Sequence, residues 1–261
     1  MVRNDRKSES LQKRHSKRQQ QRRRAQLIRR GFFFALLAVI FLCIIIFATP
    51  LFNIQNIEIS GNSVIETAQI EQRLGSVVGS NLFLTSKGNI EDSVMSFAYA
   101  DSVSVKRGLF PPTVSIEITE CVPAAYLLYN SSFVTIDING KILEVNDKKS
   151  ELPELSGLRL TSANVGEIIS LDDNSKLKTV ISVLENFRKS GLIAGVTVIS
   201  FEDMNNITFN YENRIDGICG SYVDFSRKLS LFREAITSNK LTENSRGTID
   251  LTKTGKAVYT P

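Results

Sequence analysis

The sequence predicts an α+β protein with a single N-terminal transmembrane helix, and three observations support this fold class. Residues 31–52 form an apolar run without a single charge. Beyond this run, alternating apolar and polar stretches typical of strands are mixed with helical periodicities. The cysteines are too few for a disulfide framework, so the region after the run must be held by hydrophobic cores.

Residues 31–52 are predicted to cross a membrane once, since about twenty residues at 1.5 Å each span the roughly 30 Å hydrocarbon core. Residues 1–30 hold twelve Lys or Arg against two acidic residues, and the next cation after the run is Arg73. The positive-inside rule therefore predicts a type II topology with a cytoplasmic N-terminus. A cleaved signal peptide is the alternative, but this run exceeds the usual length of about 7 to 15 residues. Pro50 also directly follows the only small-residue cleavage candidate.

Residues 1–30 are predicted to be a disordered cytoplasmic tail, because they contain too few apolar groups to offset the entropy of ordering. Cations next to the bilayer are expected to contact anionic lipid, at about 1 kcal/mol each. Nucleic acid is the alternative partner for a basic tail, but this tail has no Phe, Tyr or Trp to stack on bases. We therefore predict lipid contact and no nucleic-acid partner. The membrane-flanking basic residues are Arg22, Arg23, Arg24, Arg29 and Arg30.

The first exported domain is predicted over residues 53–121. A strand around 54–59 ends at Gly61-Asn62, and Ser63 to Glu66 has the pattern of a capping box that opens a helix. A second helix is expected from Asn89, and two strands follow on either side of a turn at 108–112. The order strand, helix, helix, strand, strand predicts a small sheet with both helices on one face.

The second exported domain is predicted over residues 122–261 as a mixed α+β domain with an antiparallel sheet. Asn139-Gly140 between two alternating runs is a strong hairpin signal. Apolar residues recur at helical spacing in 177–190 and 223–237, and β-rich segments cover 196–201 and 206–211. Within these domains Cys121 and Cys219 are predicted to be free, partly buried thiols.

Several of these segments resemble the FtsQ/DivIB cell-division proteins. Phe52 to Asn62 just beyond the span and Phe110-Pro111-Pro112-Thr113-Val114 are similar to the POTRA domain of that family. Glu120 to Ala125 looks like its Glu-Arg-x-Pro-x-Ala segment, with Cys121 in place of the basic residue. Leu152 to Gly157, and Gly247-Thr-Ile-Asp-Leu251 near the end of the chain, extend the resemblance through the second domain.

The residue inventory argues against an enzyme. His15, the only histidine, lies in the basic tail, so no histidine triad or imidazole metal site can form in the exported part. No phosphate-binding loop or Gly-x-Ser-x-Gly motif is present. Asp137 and the pair Asp172-Asp173 could bind a hard cation, although adjacent carboxylates in a loop are usually solvated. We therefore predict a non-catalytic protein without cofactor, metal or small-molecule substrate.

The resemblance instead implies a scaffold of the bacterial divisome at the septal membrane, with the exported part extracellular or periplasmic. It implies that the last strands bind FtsB/DivIC-like and FtsL-like proteins, while the POTRA domain contacts other division components. Strand addition to an exposed edge would provide the binding mode. Carried over residue by residue, the partner-binding positions are Asp250, Leu251 and Lys253 on the penultimate strand and Lys256, Ala257, Val258 and Tyr259 on the last.

Two alternatives remain at this point. A POTRA-containing membrane protein of a secretion or envelope-assembly system would normally carry several POTRA repeats or a barrel, and neither is visible in the sequence. An exported enzyme would need a pocket built from carboxylates, lysines, serines and tyrosines. For Val258 and Tyr259, ordinary packing is an equally good explanation of their apolar character.

Overall fold

The computed structural model describes residues 29–238, 241–242 and 244–261. The predicted tail, including Arg22, Arg23 and Arg24, lies outside these residues except for Arg29 and Arg30. The chain divides into two compact units. Unit 1 contains the chain up to Glu58 together with Leu74–Asn89 and Lys106–Ser115, and unit 2 contains Ile59–Arg73, Ile90–Val105 and Ile116–Pro261.

The apolar run forms helix α1, Arg29–Ala48, which is long and apolar enough to cross a membrane. The helix ends before Pro50, which lacks the amide hydrogen and clashes with the preceding turn. A short 3₁₀ turn over Pro50–Phe52 follows. The last residues of the predicted 31–52 span therefore lie beyond the α-helix.

Three strands after α1 form one sheet in the order β1-β3-β2. With the two helices between β1 and β2, the chain follows the predicted order of strand, helix, helix, strand, strand. The elements are β1 (Asn56–Ser60), α2 (Thr67–Arg73), α3 (Lys87–Met95), β2 (Ala100–Leu109) and β3 (Pro112–Glu120).

The predicted capping box at Ser63 to Glu66 is wrong. In unit 2 the Ser63 hydroxyl donates to a carboxylate oxygen of Glu120 at 2.8 Å, and the same carboxylate accepts the N–H groups of Val64 and Ile65. Burial would raise the pKa of Glu120, but these hydrogen bonds outweigh it and lower the pKa. A carboxylate distant in sequence, rather than the local Glu66, therefore accepts hydrogen bonds from this turn, and α2 begins only at Thr67.

A nine-stranded sheet in unit 2 has the order β14-β13-β12-β11-β10-β7-β4-β5-β6. The α+β class is confirmed, but the sheet is mixed, because β4 with β7, β7 with β10 and β12 with β13 pair in parallel. β8 and β9 form a separate hairpin. The strands are β4 (Pro123–Tyr129), β5 (Ser132–Asp137), β6 (Ile142–Asn146), β7 (Glu154–Ser156), β8 (Leu160–Ser162), β9 (Ser170–Leu171), β10 (Val196–Ser200), β11 (Ile207–Tyr211), β12 (Ile215–Gly220), β13 (Gly247–Asp250) and β14 (Val258–Thr260).

Two amphipathic helices, α4 (Leu177–Ser190) and α5 (Phe225–Thr237), pack on this sheet and close its core. Aromatic rings join the layers, with Phe209 of β11 lying 5.0 Å from Phe187 and 4.7 Å from Phe232 between ring centroids. Edge-to-face pairs of this kind add to the energy of apolar burial. As predicted, α4 stops at Gly191, whose φ of 73° is the left-handed conformation that glycine adopts at little cost.

Cys121 and Cys219 are free, as predicted, but they are buried rather than partly buried. Burial raises the pKa of the Cys121 thiol to about 11 and that of the Cys219 thiol to about 12. Both thiols are therefore protonated and weakly nucleophilic at neutral pH.

Candidate partner-binding edge

Strand β14 ends the nine-stranded sheet, and no strand of the described residues lies beyond it. It pairs antiparallel with β13, with Thr260 opposite Thr248, Tyr259 opposite Ile249 and Val258 opposite Asp250. Of the residues predicted to bind partners, Val258 and Tyr259 therefore lie in the edge strand of the sheet.

The direction of the backbone groups at this edge follows from the hydrogen bonds on the other side of β13. The N–H groups of Gly247 and Leu251 donate to carbonyls of Arg214 and Ile218, at 3.2 and 2.9 Å, on the β12 side. Because successive residues of a strand alternate in direction, Thr248 and Asp250 face β14. Their partners Thr260 and Val258 are thus used within the sheet.

Tyr259 is consequently the β14 residue whose backbone N–H and C=O point away from β13. An incoming strand would pair with this residue. Proline at position 258 would remove a bond within the sheet rather than one to a partner, so it would be a poor probe of strand addition.

The side chains of β14 also alternate. Ala257 and Tyr259 pack against the core, and the Tyr259 hydroxyl donates to the Arg246 carbonyl at 2.7 Å. Val258 is half-buried and is not among the residues that pack on the core. Tyr259 therefore attaches the strand to the domain through its side chain, whereas the apolar side chain of Val258 is not used in the core.

Four of the predicted positions lie outside the strands to which they were assigned: Leu251 and Lys253 follow β13, and Lys256 and Ala257 precede β14. Lys253 and Lys256 lie in the exposed turn between the two strands, where the Lys256 N–H donates to the Lys253 carbonyl at 3.2 Å. The strands are shorter than the alternating pattern suggested because Gly255, with φ 70°, lies in this turn. Leu251 is 1% exposed and belongs to the core, so its side chain does not face a partner.

Asp250 ends β13 by accepting hydrogen bonds from Thr252, two residues further along the chain. Its carboxylate accepts from the Thr252 hydroxyl at 2.6 Å and from the Thr252 N–H at 2.8 Å. These two hydrogen bonds, the hydroxyl first, lower the pKa of Asp250. The carboxylate thus holds the start of the turn and is ionised at neutral pH.

Gly247, at the start of β13, cannot carry a side chain in this conformation. Its φ is 149°, and a Cβ atom would lie 2.2 Å from the Thr260 carbonyl oxygen. The close approach of β14 to β13 thus depends on glycine. In the sequence this glycine is visible only as part of a resemblance, since its role depends on Thr260, thirteen residues away.

A small groove of about 220 Å³ borders the turn between β13 and β14. It is lined on the α5 side by Arg227 and Lys228 and on the turn side by Lys253. Lys228 also donates to the Ser221 carbonyl at 2.8 Å. This basic groove could not be predicted from the sequence, because the helical periodicity of α5 shows only that Arg227 and Lys228 do not lie on its apolar face.

A cavity of about 590 Å³ elsewhere in unit 2 is lined by carboxylates and by Cys121. Two of its carboxylates are already engaged, because Glu120 accepts from residues 63–65 and Asp137 accepts the N–H groups of Asn139 and Lys141. Because the pKa of Cys121 is raised, its thiol is not an activated nucleophile. The engaged carboxylates of this cavity therefore have structural roles.

The carboxylates considered for a cation hold backbone groups instead. Asp173 accepts the N–H of Ser175 at 3.1 Å and so caps a short 3₁₀ turn. Within the described part of the chain, no group of three or more His, Cys, Asp or Glu residues is arranged to hold a metal ion.

Comparison with known proteins gives a consistent picture. Residues 52–120 match the family model of the POTRA domain, FtsQ-type. The cell division protein DivIB of Clostridium tetani is 29% identical over 70% of this chain and 69% of its own length. DivIB of Clostridium acetobutylicum is 26% identical over 84% of this chain and 88% of its own length. The cell division protein FtsQ of Corynebacterium glutamicum is 28% identical over 46% of this chain and 53% of its own length.

A solved structure is also similar, namely the major extracytoplasmic domain of the trans isomer of the bacterial cell division protein DivIB from Geobacillus stearothermophilus. The match covers 47% of this chain and 96% of that chain, with 13% identity and a TM-score of 0.32. The resemblance to FtsQ/DivIB proteins is confirmed by the family model and the sequence relatives.

Proposed function

Since residues 52–120 form a POTRA domain of the FtsQ type in a chain similar to DivIB cell-division proteins, we propose that this protein is a non-catalytic membrane scaffold of the divisome. It recruits or stabilises FtsB/DivIC-like and FtsL-like proteins at the division septum. Its POTRA domain contacts further division components. Catalysis is carried out by the partner proteins and not by this chain.

The open edge of the nine-stranded sheet is the observation that carries this proposal. Tyr259 presents a backbone N–H and C=O outward, and Val258 presents an apolar side chain on the same short strand. Backbone pairing supplies affinity in strand addition, and side chains at alternate positions supply specificity. A partner strand would thus pair with Tyr259 and contact Val258, with the groove at Lys253 beside it.

Anchorage by α1 completes the proposal. The helix has twenty apolar or flanking residues in Arg29–Ala48, and the cations of the chain before it favour a cytoplasmic N-terminus. Such an anchor would hold the partner-binding edge outside the membrane of the dividing cell. The basic residues Arg22, Arg23, Arg24, Arg29 and Arg30 would contact anionic headgroups.

The test is binding of the full chain in lipid nanodiscs to the exported parts of the same organism's FtsB/DivIC-like and FtsL-like proteins. Val258→Asp should weaken binding at least about tenfold, the effect of a hot-spot substitution of roughly 1.4 kcal/mol or more. Val145→Asp is the matched control, since it places the same charge on an exposed valine of the edge strand β6.

Three outcomes decide the proposal. Loss of binding with Val258→Asp but not with Val145→Asp supports the β14 edge. Equal effects of the two substitutions, with both proteins folded by circular dichroism, would exclude this edge as the binding site. Failure of the folded wild-type chain to bind either partner would overturn the recruitment of these proteins altogether.

A further inference from the structure

An exposed apolar patch lies in unit 1, beside the end of α1. We call it the Phe110 patch and define it as Leu51, Phe83, Leu84, Leu109 and Phe110. Phe110 is 78% exposed and Leu84 is 66% exposed, which is unusual for large apolar side chains. These residues come from three separate segments, so their grouping arises from the fold.

Phe52 brings the segments together. Its ring lies 5.3 Å from that of Phe83 and 6.2 Å from that of Phe110, between centroids. The Arg107 guanidinium donates to the Thr85 carbonyl and so holds the end of β2 against the loop that carries Phe83. The patch is therefore a built surface rather than a set of loose side chains.

The patch is also held at the end of the apolar helix. The Asn81 side-chain amide donates to the carbonyl of Ile46, in the last turn of α1, at 2.8 Å. Phe52 lies four positions after Ala48, a reach of at most about 14 Å. If α1 spans the bilayer, the Phe110 patch must then lie at or next to the outer membrane surface.

We propose that the Phe110 patch inserts into the outer interfacial region of the membrane, a proposal that rests on the anchorage of α1 proposed above. Aromatic and aliphatic side chains gain free energy when they leave water for the headgroup and upper acyl-chain region, where aromatic residues are enriched. The patch continues the exposed apolar surface of α1 through Phe47 and Leu51. This continuity with a lipid-facing helix favours lipid over a soluble partner as the occupant.

Insertion would give the anchor a second attachment point. A single helix leaves the domain that follows it free to rotate and tilt, whereas a second contact beside it limits that motion. The patch would thus orient unit 1 on the membrane surface.

Tryptophan fluorescence tests the proposal directly, because the chain contains no tryptophan. Single substitutions Phe110→Trp and Leu84→Trp report on the patch, and Phe41→Trp within α1 reports on the span. Val223→Trp, at an exposed apolar position outside the patch, is the control. Each full-length variant is placed in nanodiscs of lipids brominated in the upper acyl chain, and its emission is compared with that in the same lipids without bromine.

Bromine should quench the indoles at positions 41, 84 and 110 and leave that at 223 bright. Quenching at 41 without quenching at 84 and 110 would overturn the insertion of the patch but leave the anchor intact. No quenching at 41 would overturn the anchor itself and, with it, this inference. Indoles at 84 and 110 that remain unquenched and shift to the blue only when a division partner is added would identify a protein as the occupant and refute the lipid contact.

Discussion

The two edges of the nine-stranded sheet differ in whether another segment is hydrogen-bonded to the outward-facing backbone groups. At the β6 end, Ile142 uses both backbone groups: its N–H donates to the Glu167 carbonyl and its C=O accepts from the Gly166 N–H, each at 2.8 Å. The segment that makes these bonds connects β8 with β9. At the β14 end, no described segment pairs with Tyr259.

This difference matters because an unpaired edge strand is a site for uncontrolled association. Proteins usually cover such edges or keep them short. Here the β6 edge is covered at Ile142 by the connection between β8 and β9, while β14 is short, with only Val258–Thr260 in the strand. The covered position on one edge and the open position at Tyr259 on the other can therefore be compared directly in the partner-binding model proposed above.

The largest expected effect comes from removing the open edge with Gly247→Ala. The added Cβ collides with the Thr260 carbonyl oxygen, so β14 must leave its position, at a cost of about 3 kcal/mol or more. Partner binding should fall by well over tenfold in a calorimetric titration.

Gly166→Ala is the matched control: its φ is also positive, at 90°, but nothing lies within 4 Å of the new Cβ. It should cost about 1–2 kcal/mol of stability without weakening binding. Equal losses of binding would contradict the comparison.

A smaller effect on stability is expected from substituting the aspartates that hold the turns near the two edges. Asp137, 3% exposed, accepts the N–H groups of Asn139 and Lys141, whereas the half-buried Asp250 accepts only from Thr252. Asp137→Ala should therefore lower the free energy of unfolding by about 3 kcal/mol and Asp250→Ala by about 1 kcal/mol, as measured in urea. A larger loss of unfolding free energy with Asp250→Ala than with Asp137→Ala would show that the turn next to β6 is not the more strongly held one.

Hydrogen exchange can sharpen the comparison without any substitution. In the free protein the Tyr259 amide should exchange rapidly, because it points away from the sheet, while the Ile142 amide should be protected by Glu167. Adding a partner should slow exchange at Tyr259 and leave Ile142 unchanged. A Tyr259 amide that is already protected in the free chain would mean that something else covers the edge.

The smallest expected effect is a pH dependence at the open edge. Hydrogen bonds from Thr252 lower the pKa of Asp250 below its ordinary 3.8, so their contribution to stability is present above pH 4. It should disappear as the pH falls through the lowered pKa. Asp250→Asn should flatten this part of the curve of thermal stability against pH. An identical acid limb in the variant would assign the dependence to other carboxylates.

Much of the fold was predictable because it depends on local patterns. The apolar periodicities of α4 and α5, the Asn139-Gly140 hairpin and the stop at Gly191 all appear as expected. β12 was missed because its sequence contains two glycines. The structure explains one of them, since a Cβ at Gly217 would lie 2.2 Å from the ring of Phe209. β4 was missed because it begins with proline and two alanines, which have little strand character of their own.

The candidate site was only partly predictable. Val258 and Tyr259 were assigned to the last strand, which the structure places at the sheet edge, but their different roles depend on which face of β14 meets the core. Leu251 was taken for a surface position because alternation alone does not say which side of a sheet is covered. The domain boundaries at residues 53–121 and 122–261 stay a prediction.

Local patterns in the chain specify the elements whose energy is local: a charge-free run long enough to span a membrane, amphipathic helices, and turns that require glycine. The tertiary structure decided the contacts between residues distant in the chain. Glu120 replaced Glu66 at the Ser63 turn, the β8–β9 connection covered β6, and the register of β13 turned the backbone of Tyr259 outward. Sheet pairing and burial join segments that are distant in sequence, and a local periodicity cannot relate such segments. Which edge of the sheet stays unpaired is therefore decided only when the chain folds.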